Sequence, residues 1–252
     1  MDAQLLQAAT ENFSLPHDVV SLPSGGIFYK SKKKSVKVGY LTANDENIII
    51  NAAINAQENL VLTLLRSKLY EHDLRPEELL EGDVEAIMIF LRNTSFGSEY
   101  EVNVEDPKTG KMFEASISLD ELNIKQTEYK PNEEGLYVTK LPKSEVEVKL
   151  KPLSYSEIIE IDKMANDYPA GRVAPKITWR LTKQIVEFNG SRDKGVIAKF
   201  VDQMPISDSK HIRNFLRANQ PGLDLKKTVK APSGEIVTID VTFGADFFRP
   251  FF

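Results

Sequence analysis

A mixed α+β fold, with helices packed on short antiparallel strands and hairpins, is what the sequence predicts, and three observations carry it. Short runs alternate polar and apolar residues, as in Val36-Lys37-Val38, Tyr100-Glu101-Val102-Asn103-Val104 and Val146-Glu147-Val148. Longer apolar stretches at helical spacing separate these runs and open on capping residues, as at Ser154-Tyr155-Ser156-Glu157. Turns bearing Pro and Gly, such as Asp106-Pro107-Lys108-Thr109-Gly110 and Ala231-Pro232-Ser233-Gly234, join alternating runs in pairs.

Taken in order, residues 1–16 read as an N-terminal arm, whose Ala3, Leu5, Leu6, Ala8 and Ala9 predict a short helix that breaks before Pro16. A first lobe, 17–125, follows. Leu22-Pro23-Ser24-Gly25-Gly26-Ile27-Phe28-Tyr29 reads as a turn with buried flanks, Ile27 and Phe28 facing inward. Lys30 to Lys34 holds four Lys in five positions and is expected to be a solvated loop tip or strand edge. A strand over 36–41 leads into Thr42 and Asp45, at the spacing of an N-terminal capping box, and then a helix from Ile48 onward. Asp83 is expected to cap the apolar helix Val84–Leu91, and a hairpin over 100–119 closes the lobe. Residues 126–144 are polar, with Pro131, Gly135 and Pro142, and read as a linker or excursion in which Leu136-Tyr137-Val138 has strand character.

The second lobe, 145–252, repeats the order. A strand at 146–150 leads to the Ser154–Glu157 box and a helix. Helices near 175–187, 192–202 and 207–218 come next, then a hairpin over 227–241 and an aromatic tail. Strand, capped helix, further helices and hairpin therefore recur, which suggests two related lobes.

Composition limits the chemistry. The 252 residues carry 32 Lys+Arg against 37 Asp+Glu, a formal net charge of −5, which argues against nucleic-acid binding as the main role. No cysteine is present, which excludes disulfides, thiolate zinc and a cysteine nucleophile. His17, His72 and His211 are scattered, and His211 is expected to be a satisfied helix histidine. No Gly-x-Ser-x-Gly, Walker-type or dinucleotide-binding glycine motif occurs, and no metal or cofactor site is expected. Carboxylate pairs such as Glu77-Glu78, Glu133-Glu134 and Asp45-Glu46 read as solvated faces or caps. No apolar run approaches the roughly 20 residues of a membrane span, and no export signal pattern is visible, so a soluble intracellular protein is expected.

The features left over are surfaces. Phe243, Phe247, Phe248, Phe251 and Phe252 crowd ten residues, and several hundred Å2 of apolar surface would be exposed if they met water, on the roughly 150–250 Å2 each aromatic ring can bury. They pack on the chain's own core or form a docking surface. A division is also open, with Phe247 and Phe248 inside and Phe251 and Phe252 outward. Trp179 reads as an amphipathic core anchor.

The segment Leu22–Tyr29, the Val36-x-Val38 strand with Leu41-Thr42-Ala43-Asn44-Asp45-Glu46, the hairpin at 100–119 and the Phe247-Phe248-Arg249-Pro250 ending together resemble, in order and along nearly the whole chain, the T4-type bacteriophage baseplate hub subunits and hub assembly proteins. The resemblance implies a non-enzymatic part in building the hub of a contractile tail, in host cytoplasm during assembly and in the virion baseplate. Partners would be other baseplate or hub proteins, or a second copy. Relatives carry Cys-x-x-Cys in such hairpin turns, like zinc ribbons. The matching turns here have none, so zinc-free hairpins are expected. Expected partner-binding residues are Leu22, Pro23, Gly25, Gly26, Phe28 and Tyr29, the lysines Lys32, Lys33 and Lys34, and Phe247, Phe248, Phe251 and Phe252. A transient assembly chaperone absent from the virion is the alternative, and a small-molecule enzyme a more distant one.

Overall fold

A computed structural model describes residues 16–54, 59–243 and 245–248. The expected N-terminal helix falls within residues outside that range. Strands β1 (His17–Ser21) and β2 (Ser35–Gly39) form an antiparallel pair, in register from His17 opposite Gly39 to Ser21 opposite Ser35. Three helices follow, α1 (Ala43–Ile54), α2 (Leu60–Lys68) and α3 (Glu81–Phe96), then the hairpin β3 (Glu99–Glu105) and β4 (Met112–Ser118). Next come β5 (Tyr137–Lys140), β6 (Glu147–Leu150), α4 (Tyr155–Asn166), α5 (Lys176–Gln184), β7 (Ile185–Phe188), α6 (Lys194–Asp202) and α7 (Ile206–Asn219). The hairpin β8 (Lys226–Lys230) and β9 (Ile236–Asp240) ends the regular structure, before a short 3-10 turn at Ala245–Phe248. The α+β class is thus realised, with helices set against small antiparallel sheets.

Local chemistry explains most boundaries. At Ser154 the capping box is complete: its hydroxyl accepts the Glu157 N–H at 3.3 Å, and Glu157 accepts the Ser154 N–H at 2.9 Å. At Thr42 half of it forms, Asp45 accepting both the backbone N–H and the hydroxyl of Thr42 at 2.7 and 2.6 Å. Asp83 does not cap its helix. The helix starts two residues earlier, behind Leu80, and Asp83 is buried in its first turn. The helix expected over 175–187 stops at Gln184, because Ile185 and Val186 suit a strand, and Ile185, Glu187 and Phe188 pair with β6 across a register shift at Lys149/Leu150 that passes over Val186.

Two apolar cores result. The first gathers β1–β2, α1–α3 and the base of β3–β4, and also takes in Leu223, Leu225, Val229, Ile239, Val241, Phe243, Phe247 and Phe248 from the end of the chain. The second is built from Tyr137, Leu141, β6, α5, α6 and α7. The cores therefore do not divide at the expected lobe boundary of 145. The second is inserted between two parts of the first, and the expected linker supplies it with Tyr137 and Leu141. The two meet where Tyr155 N–H donates to Leu79 O at 2.7 Å and where Gly82 lies against Pro221 and Gly222. A Cβ on Gly82 would stand 2.4 Å from the Pro221 carbonyl oxygen, so only glycine admits that crossing.

The hairpin turns hold by hydrogen bonds. Asp106 accepts the Lys108 N–H at 2.9 Å, then reaches across to the other hairpin, accepting the Ser233 N–H at 3.1 Å and hydroxyl at 2.7 Å. The two turns that the sequence pairs by similarity are therefore joined in space.

Candidate partner-binding surfaces

The Leu22–Tyr29 turn is a joint within the chain before it is a surface. Leu22 and Tyr29 are buried in the first core. Gly26 has φ +75° and is packed so tightly that a Cβ would fall 2.2 Å from the Lys33 carbonyl oxygen. Asp83 from α3 fastens the turn, accepting the Ser24 N–H at 2.9 Å and the Tyr29 hydroxyl, while that oxygen accepts the Leu80 N–H at 2.9 Å. Burial pushes the Asp83 carboxyl above its ordinary value, with the bonds from Ser24 and Tyr29 opposing. Burial, then the neighbouring Asp83 charge, raises the Tyr29 hydroxyl as well. Phe28, half-buried, packs against both cores and lies 5.7 Å from the Tyr137 ring. Ile27, expected inside, is 40% exposed. Pro23, Gly25, Ile27 and part of Phe28 are what this turn offers to solvent; Leu22, Gly26 and Tyr29 are buried and cannot face a partner.

The lysine loop also divides. Lys30, Lys32 and Lys34 are exposed, and Lys32, at φ +52°, donates to the Ile27 carbonyl at 2.8 Å. Lys33 departs from the solvated reading: it pairs with Glu71 and Asp73, and the Glu71 side chain is only 10% exposed. Hydrogen bonds from Lys33 hold the Asp73 carboxyl below its usual value, and in Glu71 the bonds from Lys33 and the Lys37 N–H outweigh the opposing effect of burial. Lys33→Ser is expected to lower the melting temperature and Lys34→Ser to leave it unchanged; equal midpoints for the two would contradict this division.

The described part of the aromatic tail turns inward. Phe247 and Phe248 are each 1% exposed, so they too are withheld from partners. Phe247 contacts Phe243 at 4.8 Å, Phe248 at 5.1 Å and Tyr100 at 5.4 Å. Phe251 and Phe252 lie outside the described residues.

A surface the sequence did not single out opens on the second core. Helices α4, α5 and α6 frame a groove of about 880 Å3 whose apolar wall includes Met164, Trp179, Ile185, Val186, Ile197 and Ala198. Trp179 is half-buried and meets Tyr168 edge-on at 5.8 Å, so it lines this groove instead of anchoring a core. Rim charges are mostly satisfied, by Lys183–Glu160 at 2.9 Å, Lys151–Glu157 at 2.6 Å and Arg192–Glu187 at 2.8 Å. Among the described residues Asp202 and Lys194, at opposite ends of α6, form no ion pair.

Titratable groups elsewhere are tied into the frame. Glu77 pairs with Arg66 at 2.7 Å, Glu78 with Arg75 at 3.1 Å, Glu134 with Arg192 at 2.9 Å and the buried Asp45 with Lys68. His211 shares a hydrogen bond with Thr139 at 3.0 Å. Among the described residues no group of three His, Asp or Glu is arranged to hold a metal ion, and no helix is long and apolar enough to cross a membrane.

Glu85 on α3 differs. Burial, then the Glu81 charge, pushes its carboxyl up to about 7, although it accepts a bond from the Leu223 N–H and lies near Lys125. A carboxyl raised in the folded state binds its proton more tightly there than in the unfolded chain. Stability should therefore fall as pH rises from about 4.5 to about 7, by on the order of 2–3 kcal/mol, and level off above. Glu85→Gln is expected to flatten this slope and to melt higher than wild type at pH 8 but not at pH 4.5. Parallel melting curves across that window would remove the assignment.

Comparison with curated proteins and with solved structures gives no match. The family model described as T4 bacteriophage base plate protein matches residues 25–249, which take in the second core, the first core apart from its leading Val20 and Leu22, both tied hairpins and the buried Phe247–Phe248 anchor. The chain belongs to the T4 bacteriophage base plate protein family.

Proposed function

We propose that the chain is a non-enzymatic structural or assembly protein of the baseplate hub of a contractile-tailed phage, acting through surfaces that meet other baseplate proteins. The observation that carries the reading is the family match along 25–249. The use of buried polar groups supports it. Asp83 fastens a turn to a helix, Asp106 joins two hairpins, and Asp208 accepts the Lys143 and Ser144 N–H groups at 2.7 and 3.0 Å to fix the β5–β6 turn. Carboxylates committed in this way rigidify a shape that other proteins can read. The exposed Lys30 and Lys34 would steer approach to acidic partners more than add affinity.

The test is co-purification of the tagged chain from phage-infected cells, with mass spectrometry of purified virions. Capture of baseplate proteins, with the chain present in virions, is the expected result. Capture with absence from virions would turn the reading to a transient assembly chaperone. Capture of no tail protein would end it.

A further inference from the structure

We propose that Glu85 is a pH-sensitive clasp on the crossing where the chain leaves and re-enters the first core, and that its ionisation lets the second core part from the first while each core stays folded. The crossing is made of two segments, one at each end of the inserted second core. Residues 123–125 lead out and 222–224 lead back, and they pair. Ile124 bridges Leu223, the Lys125 N–H donates to the Gly222 carbonyl at 2.9 Å, and the Asp224 N–H donates to the Asn123 carbonyl at 2.9 Å. Two strands this short hold little by themselves. Their support is α3, where Glu85 accepts the Leu223 N–H. A Cβ on Gly222 would stand 3.4 Å from Glu85 Oε2 and 3.6 Å from Gly82 Cα, so the carboxyl lies directly against the returning segment.

The groups around Glu85 oppose its charge. Glu81 and Asp83, on the same helix, add negative charge. Lys125, on the outgoing segment, favours ionisation, but its ammonium donates to the Arg217 carbonyl of α7, feels the Arg217 charge and is drawn also to Asp224 of the returning segment. On its other side Glu85 borders a cavity of about 290 Å3 shared with Glu81 and the Tyr155 of α4. Among the described residues, α2 and the segment after β9 line that cavity with uncharged side chains, Val61, Val241, Thr242 and Phe243. Below the window the carboxyl is neutral and the crossing stays closed. Once ionised it gains by meeting water, and parting of the two segments supplies that water without disturbing the Asp83 and Asp208 networks within the cores. The closed crossing holds the carboxyl up at about 7 against an ordinary 4.5, so opening becomes easier as pH rises through that interval. The opening equilibrium should increase about 25-fold between pH 5.5 and pH 8.

Native-state hydrogen exchange of the full chain tests this, read by mass spectrometry on peptides covering 119–128 and 219–226 and corrected for the intrinsic pH dependence of amide exchange. In wild type the crossing amides should open about 25-fold more at pH 8 than at pH 5.5. At both pH values they should exchange ahead of the slowest amides of β2 in the first core and α7 in the second. Glu85→Gln keeps the shape and cannot ionise, so its crossing should open equally at the two pH values. Glu81→Gln, at an exposed position, removes a neighbouring charge and should move the wild-type transition to lower pH. A wild-type crossing whose opening ignores pH, the same pH dependence in Glu85→Gln, or an unmoved transition in Glu81→Gln would overturn the proposal. So would crossing amides that exchange no sooner than the slowest core amides, since Glu85 would then ionise only with global unfolding. The clasp does not rest on the baseplate reading, which is tested separately by co-purification.

Discussion

Asp83→Ala should destabilise the protein by about 3–5 kcal/mol, because it removes two hydrogen bonds to a carboxylate at roughly 1.5–3 kcal/mol each. The Ser24 N–H and the Tyr29 hydroxyl would be left buried beside a methyl group. Asp83→Asn keeps one acceptor oxygen and should fall between Ala and wild type. Tyr29→Phe removes the hydroxyl that also receives the Leu80 N–H, so it should cost about 1–3 kcal/mol on the same scale. The two changes share one network, and their double mutant should lose less than the sum. Urea unfolding checks all three. Trp179 is the only tryptophan and lies in the second core's groove, so its fluorescence reports that core, while far-UV circular dichroism reports both. In wild type the two midpoints should coincide. In Asp83→Ala the circular dichroism midpoint should fall further, because the lost network fastens the turn that carries Phe28 between the cores. An Asp83→Ala change below about 1 kcal/mol would mean that the turn is held by its apolar flanks alone.

What could be read in the sequence was what depends on near neighbours. The Ser154–Glu157 box, both Pro- and Gly-bearing hairpin turns and the alternation in β3 and β4 are set by residues within a few positions of each other, and they formed where the pattern put them. Asp83 shows the limit. A carboxylate near a helix start reads as a cap, and only the fold reveals that Ser24 and Tyr29, more than fifty positions earlier, take it as their acceptor. Lys33 is similar, since nothing in a run of lysines marks the one that meets Glu71 and Asp73. The core boundary was hidden for the same reason: whether β8–β9 packs on the helices before it or on the start of the chain is decided by long-range packing. Among the expected surface residues, Phe247 and Leu22 are apolar, as both a core and an interface require, and composition alone leaves that choice open. The groove was missed because Trp179 at helical spacing satisfies a core pattern and a groove pattern equally.

Arg92→Met is the second change expected to have a large effect. Arg92 is 1% exposed, and burial lowers its guanidinium pKa below the ordinary value. It has no carboxylate partner among the described residues. Its donors go instead to three carbonyl oxygens, of Phe247 at 3.0 Å, Gly97 at 2.6 Å and Glu99 at 3.1 Å, with its plane near the rings of Phe96 and Tyr100. One side chain thereby ties the end of α3, the start of β3 and the aromatic anchor of the tail. Methionine fills similar space but leaves the buried Phe247 carbonyl without this donor and removes charge-assisted bonds to the part-buried Gly97 and Glu99 carbonyls, so a loss of about 2–4 kcal/mol is expected. Lysine should rescue little, because a single ammonium cannot span three acceptors as the planar guanidinium does. Phe247→Ala should cost a similar 3–5 kcal/mol through the cavity it leaves. The pair should again be less than additive, since either change releases the same anchor.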